Sequence, residues 1–534
     1  MATGKKAEGT EGKVTNMEHW GSVLRVRLIL GSVCFFSGAS VMVIEITGNR
    51  LLAPIFGNSI YTWTALIGVV LVAFSVGGYM GGWLADRSPS TKVLGLLLVA
   101  SSVLTILIPP IWGLTASLVS GMGLIGGPVT LSFFLFVIPG VLLGAVSPFT
   151  VRLLAHHTGD RKIGAAAGLV GMLGSLGSFT GTFLSGFVLI PNFGVRQIFL
   201  VTGGLLLVLG MMVFLAFRAQ PDRSTYLISS GILLLSGILF FLVPAPWAKG
   251  KVFDELTFYH WIRVFDSPTG PDRTVRTLML DSTTEGAQVV ETGELTVPYQ
   301  RYWELMKGKQ GVIERSAFLG AGAFGMPQQV ARNWPEAEVD VVEIDPEVIR
   351  AGRECFRLGD YENVQAYAMD ARRFLALSDH QYDVIFGDAY NGVRYIPAHL
   401  TTAEFFEEVK ERLNDGGVFM MNLISGLTGD RAPLFEALFT TIDSVFENVE
   451  VFSTSPYNYR EPHNIILVAG DGDLGSFVEA GTGDLGFDEL VATRVDPSVY
   501  ATAQGQVLTD DRNPVEFIVA RQLEREASSV GGSY

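Results

Sequence analysis

Seven long apolar segments fill most of the first 245 residues and set the strongest limit on how this chain can fold. They lie at residues 28–47, 62–85, 93–115, 129–151, 163–190, 197–217 and 225–243. Each is close to the ~20 residues that an α-helix needs to cross the hydrocarbon core of a bilayer. We therefore predict a multi-pass α-helical membrane bundle over residues 25–245, in contact with the lipid bilayer, after an N-terminal tail at 1–24.

Glycine is frequent in these segments, as in GGYMGGW and GMLGSLGSFTGTFLSG. Small residues at spacings of three and four allow membrane helices to approach closely. We therefore expect the fifth segment to be a tightly packed inner helix.

Charge divides the chain at the end of the apolar region. Residues 1–249 contain 15 Lys and Arg against 7 Asp and Glu, whereas the remainder contains 23 basic and 46 acidic residues. A half that acidic disfavours nucleic acid, because phosphate binding needs an excess of Lys and Arg. It is compatible with a cationic ligand.

From residue 314 the pattern changes to short apolar strands that alternate with amphipathic helices, as in SAFLGAG, MPQQVARNW, EVDVVEID and PEVIRAGREC. This alternation predicts parallel crossover units and an open, doubly wound α/β sheet. We assign the sheet to residues 313–520, with a β-rich part at 250–312 before it and a C-terminal tail at 521–534. Ligands bind such sheets beyond the carboxyl ends of the strands.

Four consecutive strand ends carry residues suited to a nucleoside. Gly320 and Gly322 follow the first strand and allow a tight turn close to a ligand. Glu343 ends the second strand, where its carboxylate can accept from both ribose hydroxyls. Asp370 ends the third, where it can accept from an adenine amino group, and Asp388 ends the fourth at the centre of the cleft. These residues fit NAD as well as other adenosine cofactors.

The order of these motifs resembles the spermidine synthase family of aminopropyltransferases. The matching residues are LGAG, VEID, MDARRFL, YDVIFGDAY and IPAHLTTAEFF. EITGNRLLAPIFGNSIYTWTALIGVVL and VLTDDRNPVEF are similar to the membrane-fused form, in which a transporter-like bundle precedes the catalytic domain.

The resemblance implies a Rossmann-like fold of the class I methyltransferase type. It implies transfer of an aminopropyl group from decarboxylated S-adenosylmethionine, or of another group from S-adenosylmethionine, to an amine such as putrescine. The products would be spermidine and methylthioadenosine, and no permanently bound cofactor and no metal would be needed. The resemblance is compatible with a homodimer.

The resemblance also assigns roles to individual residues. Asp388 would be the catalytic carboxylate near the attacking amine. The nucleoside would be held by Gly320, Gly322, Glu343 and Asp370. The residues placed at the substrate contacts are Gln288, Tyr299 and Tyr390.

Two positions depart from the family pattern. Ala323 stands where soluble members carry an aspartate in the glycine turn, and Asn391 stands where they carry a second aspartate after Asp388. In soluble members, both aspartates would bind cationic groups of the substrates, and this chain lacks them. Two alternatives therefore stay open: a transferase that modifies a lipid or a membrane-anchored protein, and a transporter or sensor with a degenerate nucleoside-binding domain.

Other acidic residues are predicted to be structural. Asp345 precedes Pro346 and should cap the following helix. Asp510 and Asp511 should fix the C-terminal segment against the sheet.

Two opposing signals bear on which side of the membrane the second half of the chain lies. Basic residues before the first segment favour a cytoplasmic N-terminus, so seven crossings would put the second half outside. The donor implied by the resemblance is made in the cytoplasm. We expect the catalytic domain of this cell-membrane protein to be cytoplasmic, with an extra crossing or re-entrant piece hidden within residues 112–150.

Overall fold

The structure is a computed structural model, which describes residues 8–119, 122–123, 125–158, 163–217, 251–257, 259–281, 283–308, 312–390, 395–475 and 484–530. The chain forms two compact units. The first contains residues 1–52 and 61–247, and the second contains residues 53–60 and 248–534.

The first unit is a helical bundle. Its helices are α1 (Glu8–Phe56), α2 (Ile60–Arg87), α3 (Thr91–Val119), α4 (Gly126–Thr158), α5 (Ile163–Leu184) and α6 (Val195–Ala216). A π-helical turn, Ser185–Leu189, and a short helical turn, Ile190–Asn192, continue α5. Over the described residues, six stretches within these helices are long and apolar enough to cross a membrane. They contain the first five predicted segments and the sixth up to residue 216, whereas the seventh, at 225–243, lies outside the described residues.

Close packing in the bundle depends on glycine. A Cβ on Gly177 of α5 would overlap the carbonyl oxygen of Phe35 in α1, and a Cβ on Gly77 of α2 would overlap that of Val141 in α4. Such contacts bring helix backbones together where no larger residue fits.

The prediction that the fifth helix is a tightly packed inner helix is wrong. Only 22% of the most apolar window in Ile163–Asn192 is buried within the chain. The face that carries Gly177 and Gly181 packs against α1, but a Cβ at Gly168 or Gly171 would meet nothing within 4 Å. Glycine therefore serves close contact on one face of α5 and leaves the opposite face open.

The second unit begins with a four-stranded antiparallel sheet. Its strands are β1 (Lys251–Leu256), β2 (Trp261–Gly270), β3 (Arg273–Leu280) and β4 (Thr283–Val289), in the order β1-β2-β3-β4. A 3₁₀ segment, Pro298–Gly308, follows and buries Tyr299, Tyr302 and Trp303. These residues belong to the same hydrophobic core as Phe318 of the main sheet, and Tyr302 packs against Phe452 of that sheet.

The main sheet has seven strands. They are β5 (Arg315–Leu319), β6 (Glu338–Glu343), β7 (Val364–Ala368), β8 (Tyr382–Gly387), β9 (Leu413–Ser425), β10 (Asn448–Ser453) and β11 (His463–Gly470). Their order is β10-β11-β9-β8-β5-β6-β7. Strands β5 to β9 are parallel, as predicted, whereas β11 pairs antiparallel to both β9 and β10, which makes the sheet mixed.

Helices connect and cover these strands. They are α7 (Gly325–Asn333), α8 (Pro346–Cys355), α9 (Ala371–Leu377), α10 (Ala403–Glu411), α11 (Pro433–Asp443), α12 (Leu485–Val491), α13 (Pro497–Tyr500) and α14 (Val515–Val530). Helix α14 occupies most of the segment expected as a C-terminal tail. Its apolar residues Val515, Val519 and Ala520 are buried, so the first turns of the helix pack against the rest of the second unit.

The strand order reverses between β5 and β8. The chain runs outward from β5 through β6 to β7 and then returns to β8 on the other side of β5. The carboxyl ends of β5 and β8 therefore meet, and the Asp388 N–H donates to the Leu319 carbonyl oxygen at 2.8 Å. A crevice opens at such a switch point, where ligands of doubly wound sheets bind.

Candidate functional site

A pocket of the second unit lies at these strand ends. Six of the residues predicted from the sequence line it: Gly320, Gly322, Glu343, Asp370, Asp388 and Tyr390. The residues that sequence reasoning missed include Asn58, Tyr259, His260, Glu285 and His399. Asn58 comes from the connection between α1 and α2, and residues 53–60 belong to this unit.

The glycine turn after β5 adopts a left-handed backbone that suits glycine. Gly320 has a φ of 102° and Gly322 a φ of 48°. A Cβ on Gly320 would overlap the backbone of Asp388, and a Cβ on Gly322 would lie 2.8 Å from the carbonyl oxygen of Glu285. Both glycines are therefore needed to bring the turn between these two acidic residues.

Glu343 is anchored to the glycine turn. Its carboxylate accepts from the Ala321 N–H at 3.3 Å and from the Asp345 N–H at 3.0 Å. Burial raises the pKa of Glu343. A carboxylate has about four acceptor sites, so two remain for the hydroxyls of a ligand.

Asp345 is confirmed as a helix cap. Its side chain accepts from the Glu347 N–H at 3.0 Å, and Pro346 is the first residue of α8. Its other oxygen contacts the Thr257 hydroxyl.

Asp370 both caps α9 and contacts a histidine. One carboxylate oxygen accepts from the Arg373 N–H at 2.9 Å, and the other lies 2.7 Å from Nε2 of His399. The hydrogen bond to His399 lowers the pKa of Asp370. Asp370 therefore stays ionised at the edge of the pocket, and His399 lines the pocket beside it.

Asp388 is held by two donors at the centre of the pocket. Asn422 Nδ2 donates to Oδ1 at 2.7 Å, and the Tyr299 hydroxyl donates to Oδ2 at 3.1 Å. Asn464 fixes the Asn422 amide by donating to its Oδ1 at 3.0 Å. Burial raises the pKa of Asp388 to about 7, with a further contribution from Glu285. A carboxylate with this pKa can take up and release a proton near neutral pH.

Tyr299 and Tyr390 orient the Asp388 region. Burial and the neighbouring Asp388 raise the pKa of Tyr299 well above its usual value, so its hydroxyl remains a donor. The Tyr390 hydroxyl donates to the Asn422 carbonyl oxygen at 3.0 Å. The two tyrosines thus contact the aspartate and the asparagine that holds it.

Of the predicted substrate contacts, Tyr390 lines the pocket and Tyr299 bonds to Asp388, whereas Gln288 does neither. It is buried in β4, and among the described residues its Oε1 has no hydrogen-bond partner. It lies near Gly325 at the start of α7, and it is not among the residues that line the pocket. Glu285, three residues earlier in the same strand, lines the pocket instead.

Sequence reasoning missed Glu285, Asn422 and His260. Glu285 is the one charged residue of β4, which was the available signal. Asn422 lies inside a run of apolar residues, MMNLI, where a buried amide needs a polar partner. Nδ1 of His260 lies 3.3 Å from Oδ2 of Asp281, and only the tertiary structure brings His260 to the pocket. Within the described ranges, no group of three or more His, Cys, Asp or Glu side chains is arranged to hold a metal ion.

The sequence of the second unit is similar to that of known proteins. Residues 318–460 match the sequence model of the spermine/spermidine synthase domain. The chain carries a spermine/spermidine synthase domain. Gly320, Glu343, Asp370 and Asp388 fall within the matched residues, whereas Glu285 precedes them.

Several curated proteins are similar to this chain. A probable polyamine aminopropyl transferase of Bifidobacterium longum is 28% identical over 232 residues, which are 40% of this chain and 51% of that protein. A polyamine aminopropyltransferase of Vibrio vulnificus is 34% identical over 152 residues, which are 28% of this chain and 46% of that protein. The chain thus spans about half the length of these two relatives.

A longer match extends beyond the spermine/spermidine synthase domain. Polyamine aminopropyltransferase 2 of Aquifex aeolicus is 21% identical over 431 residues, which are 76% of this chain and 81% of that protein. Among solved structures, a probable spermidine synthase from Corynebacterium glutamicum is 22% identical, with a TM-score of 0.40, over 49% of this chain and 97% of that one.

Proposed function

We propose that this protein is a membrane-bound aminopropyltransferase. Its donor would be decarboxylated S-adenosylmethionine, and its acceptor an amine such as putrescine. The products would be methylthioadenosine and spermidine, and no cofactor would stay bound between turnovers.

The main support for this proposal is the negative charge of the pocket. Four carboxylates line it, from Glu285, Glu343, Asp370 and Asp388, and no described residue of the lining is Lys or Arg. A sulfonium donor and an amine acceptor both bring positive charge. Carboxylates that are removed from water are stabilised when such charges bind beside them.

The pocket residues supply what this displacement needs. Glu343 and Asp370 would hold the ribose and the adenine amino group, which fixes the donor beside Asp388. The acceptor nitrogen would use its lone pair to form a bond to the propyl carbon next to the sulfonium. The carbon–sulfur bond would break at the same time, and the electron pair of that bond would pass to sulfur. Asp388 would accept the proton that the amine nitrogen loses. The main contributions are therefore alignment and proton transfer.

The membrane placement is part of the same proposal. Six described helices have the length and composition to cross a bilayer. We place the protein in the cell membrane with the second unit on the cytoplasmic side, where the donor is made.

The test uses the full-length protein purified in detergent. Decarboxylated S-adenosylmethionine and putrescine should give methylthioadenosine and spermidine in equal amounts, measured by mass spectrometry. Omitting putrescine should stop the release of methylthioadenosine. Calorimetric titration should show that methylthioadenosine binds and that NAD does not.

Two outcomes would contradict the proposal. Tight NAD binding without a response to methylthioadenosine would indicate a different class of enzyme. Release of methylthioadenosine only when membrane lipids or lipoproteins are supplied would instead identify a membrane-anchored acceptor.

A further inference from the structure

Glu285 and Glu343 both contact the glycine turn that follows β5. The backbone of β4 packs directly against this turn, because a Cβ on Gly322 would lie 2.8 Å from the Glu285 carbonyl oxygen and a Cβ on Gly286 would lie 2.7 Å from Cβ of Ala323. A larger residue in place of Gly322 or Gly286 would therefore clash with the neighbouring segment. This contact fixes Glu285 beside the turn.

Glu285 also lies near both carboxylates with proposed roles. It interacts electrostatically with Glu343 and with Asp388, and all three residues line the pocket. The Tyr299 hydroxyl, which donates to Asp388, lies 3.4 Å from the Glu285 carbonyl oxygen. A donor whose ribose lies at Glu343 and whose reacting carbon lies at Asp388 would pass next to Glu285.

Glu285 differs from these two carboxylates in its hydrogen bonds. Each oxygen of Glu343 and of Asp388 already has a donor. Oε1 of Glu285 accepts from the Thr283 hydroxyl at 2.5 Å, but no described residue donates to Oε2. This oxygen has acceptor capacity for a ligand in the pocket.

The surroundings of Glu285 favour a positive ligand. Burial raises the pKa of Glu285, and the carboxylates of Glu343 and Asp281 raise it further, whereas Thr283 and His260 act in the opposite direction. A bound cation would stabilise the ionised form in this setting. A second carboxylate brought into the same place would instead be repelled.

We propose that Glu285 recognises the primary ammonium group of the donor's aminopropyl chain and thereby selects the decarboxylated donor. The α-carboxylate of S-adenosylmethionine would lie next to Glu285 and would be excluded by like charge. Glu285 is thus a specificity-determining residue. This inference rests on the proposed function and deepens it.

The test compares three ligands that share the methylthioadenosine portion and differ in what else is attached to sulfur. Full-length protein is titrated with decarboxylated S-adenosylmethionine, S-adenosylmethionine and methylthioadenosine, which lacks both the aminopropyl chain and the positive charge on sulfur. The wild-type protein should bind the decarboxylated donor more tightly than either of the others.

Glu285→Gln should weaken binding of the decarboxylated donor by roughly tenfold to a hundredfold, the usual effect of a lost hydrogen bond to a charged group. Methylthioadenosine affinity should change less than about twofold on the same scale. The preference over S-adenosylmethionine should shrink, and Glu285→Asp should restore part of it. The matched control is Glu294→Gln, whose exposed side chain pairs with exposed Arg273, so all affinities should stay unchanged.

Three results would overturn the inference. The first is equal affinity of the wild-type protein for S-adenosylmethionine and the decarboxylated donor, which would show that the site does not select between them. Equal losses for methylthioadenosine and the decarboxylated donor in Glu285→Gln would show that Glu285 shapes the nucleoside site. Unchanged donor affinity in Glu285→Gln, with transfer activity present in the wild type, would overturn this inference and leave the proposed function intact. Absence of all thioadenosine binding in the wild type would instead remove the proposed function itself.

Discussion

Asp388 and Glu343 both place a carboxylate in the pocket, but their partners predict different consequences of substitution. Asp388→Asn should reduce turnover by roughly 10²- to 10⁴-fold, the usual contribution of a general base, because an amide cannot take the proton. Methylthioadenosine affinity should stay nearly unchanged. Glu343→Ala should abolish nucleoside binding, because it removes the acceptor that is anchored at the glycine turn. Calorimetry and initial rates separate the two effects.

The raised pKa of Asp388 makes the stability of the protein depend on pH. Its pKa rises from 3.8 to about 7 on folding, so the folded state binds the proton more tightly and loses stability as pH rises through this window. Asp388→Asn should therefore melt at a higher temperature than the wild type at pH 8, with little difference at pH 4. Equal melting temperatures at pH 8, or wild-type turnover in the variant, would contradict the assignment.

At the scale of elements, the turn from β5 to α7 depends on the left-handed backbone of its glycines. Gly322→Ala should cost about 1–2 kcal/mol of strain at a φ of 48° and weaken methylthioadenosine binding, because the turn must move away from Glu285. Gly320→Ala should be more damaging, since its Cβ would overlap the Asp388 backbone. Thermal unfolding and calorimetry in detergent measure both effects.

Gly359 provides the matched control for this turn. It lies in the second unit, and a Cβ there would meet nothing within 4 Å. Gly359→Ala should leave both the melting temperature and the nucleoside affinity near those of the wild type. An equal effect at all three glycines would show that the turn geometry is not the cause.

For the whole molecule, the side of the membrane can be tested with single cysteines. Both native cysteines are buried, so background labelling should be low. Tyr457 in the second unit is 99% exposed, and Tyr457→Cys should react with an impermeant maleimide only after cells are permeabilised. Ser88→Cys, next to Arg87 in the connection between α2 and α3, reports separately on a basic loop. Labelling of Tyr457→Cys in intact cells would place the second unit outside and would favour a lipid or lipoprotein acceptor.

The sequence by itself determined the kinds of elements and several strand-end residues. An apolar segment of about 20 residues has the length of a helix that crosses a bilayer, so hydropathy alone located six helices. The short buried strands from Arg315 to Ser425 were recognisable because their apolar runs end in glycine or in an acidic residue. Strand ends of a parallel sheet share one edge, which explains why Glu343, Asp370 and Asp388 line one pocket.

Only the tertiary structure decided which other residues join them. Glu285 comes from β4, His260 from the connection between β1 and β2, and Asn58 from residues 53–60. All three are distant in sequence from the glycine turn, so no local pattern predicts that they join it. The antiparallel pairing of β11 also depends on contacts between distant strands. The exposed face of α5 was also decided by tertiary contacts. Glycine spacing shows that a helix can pack closely, but it does not show which face of the helix a neighbour covers.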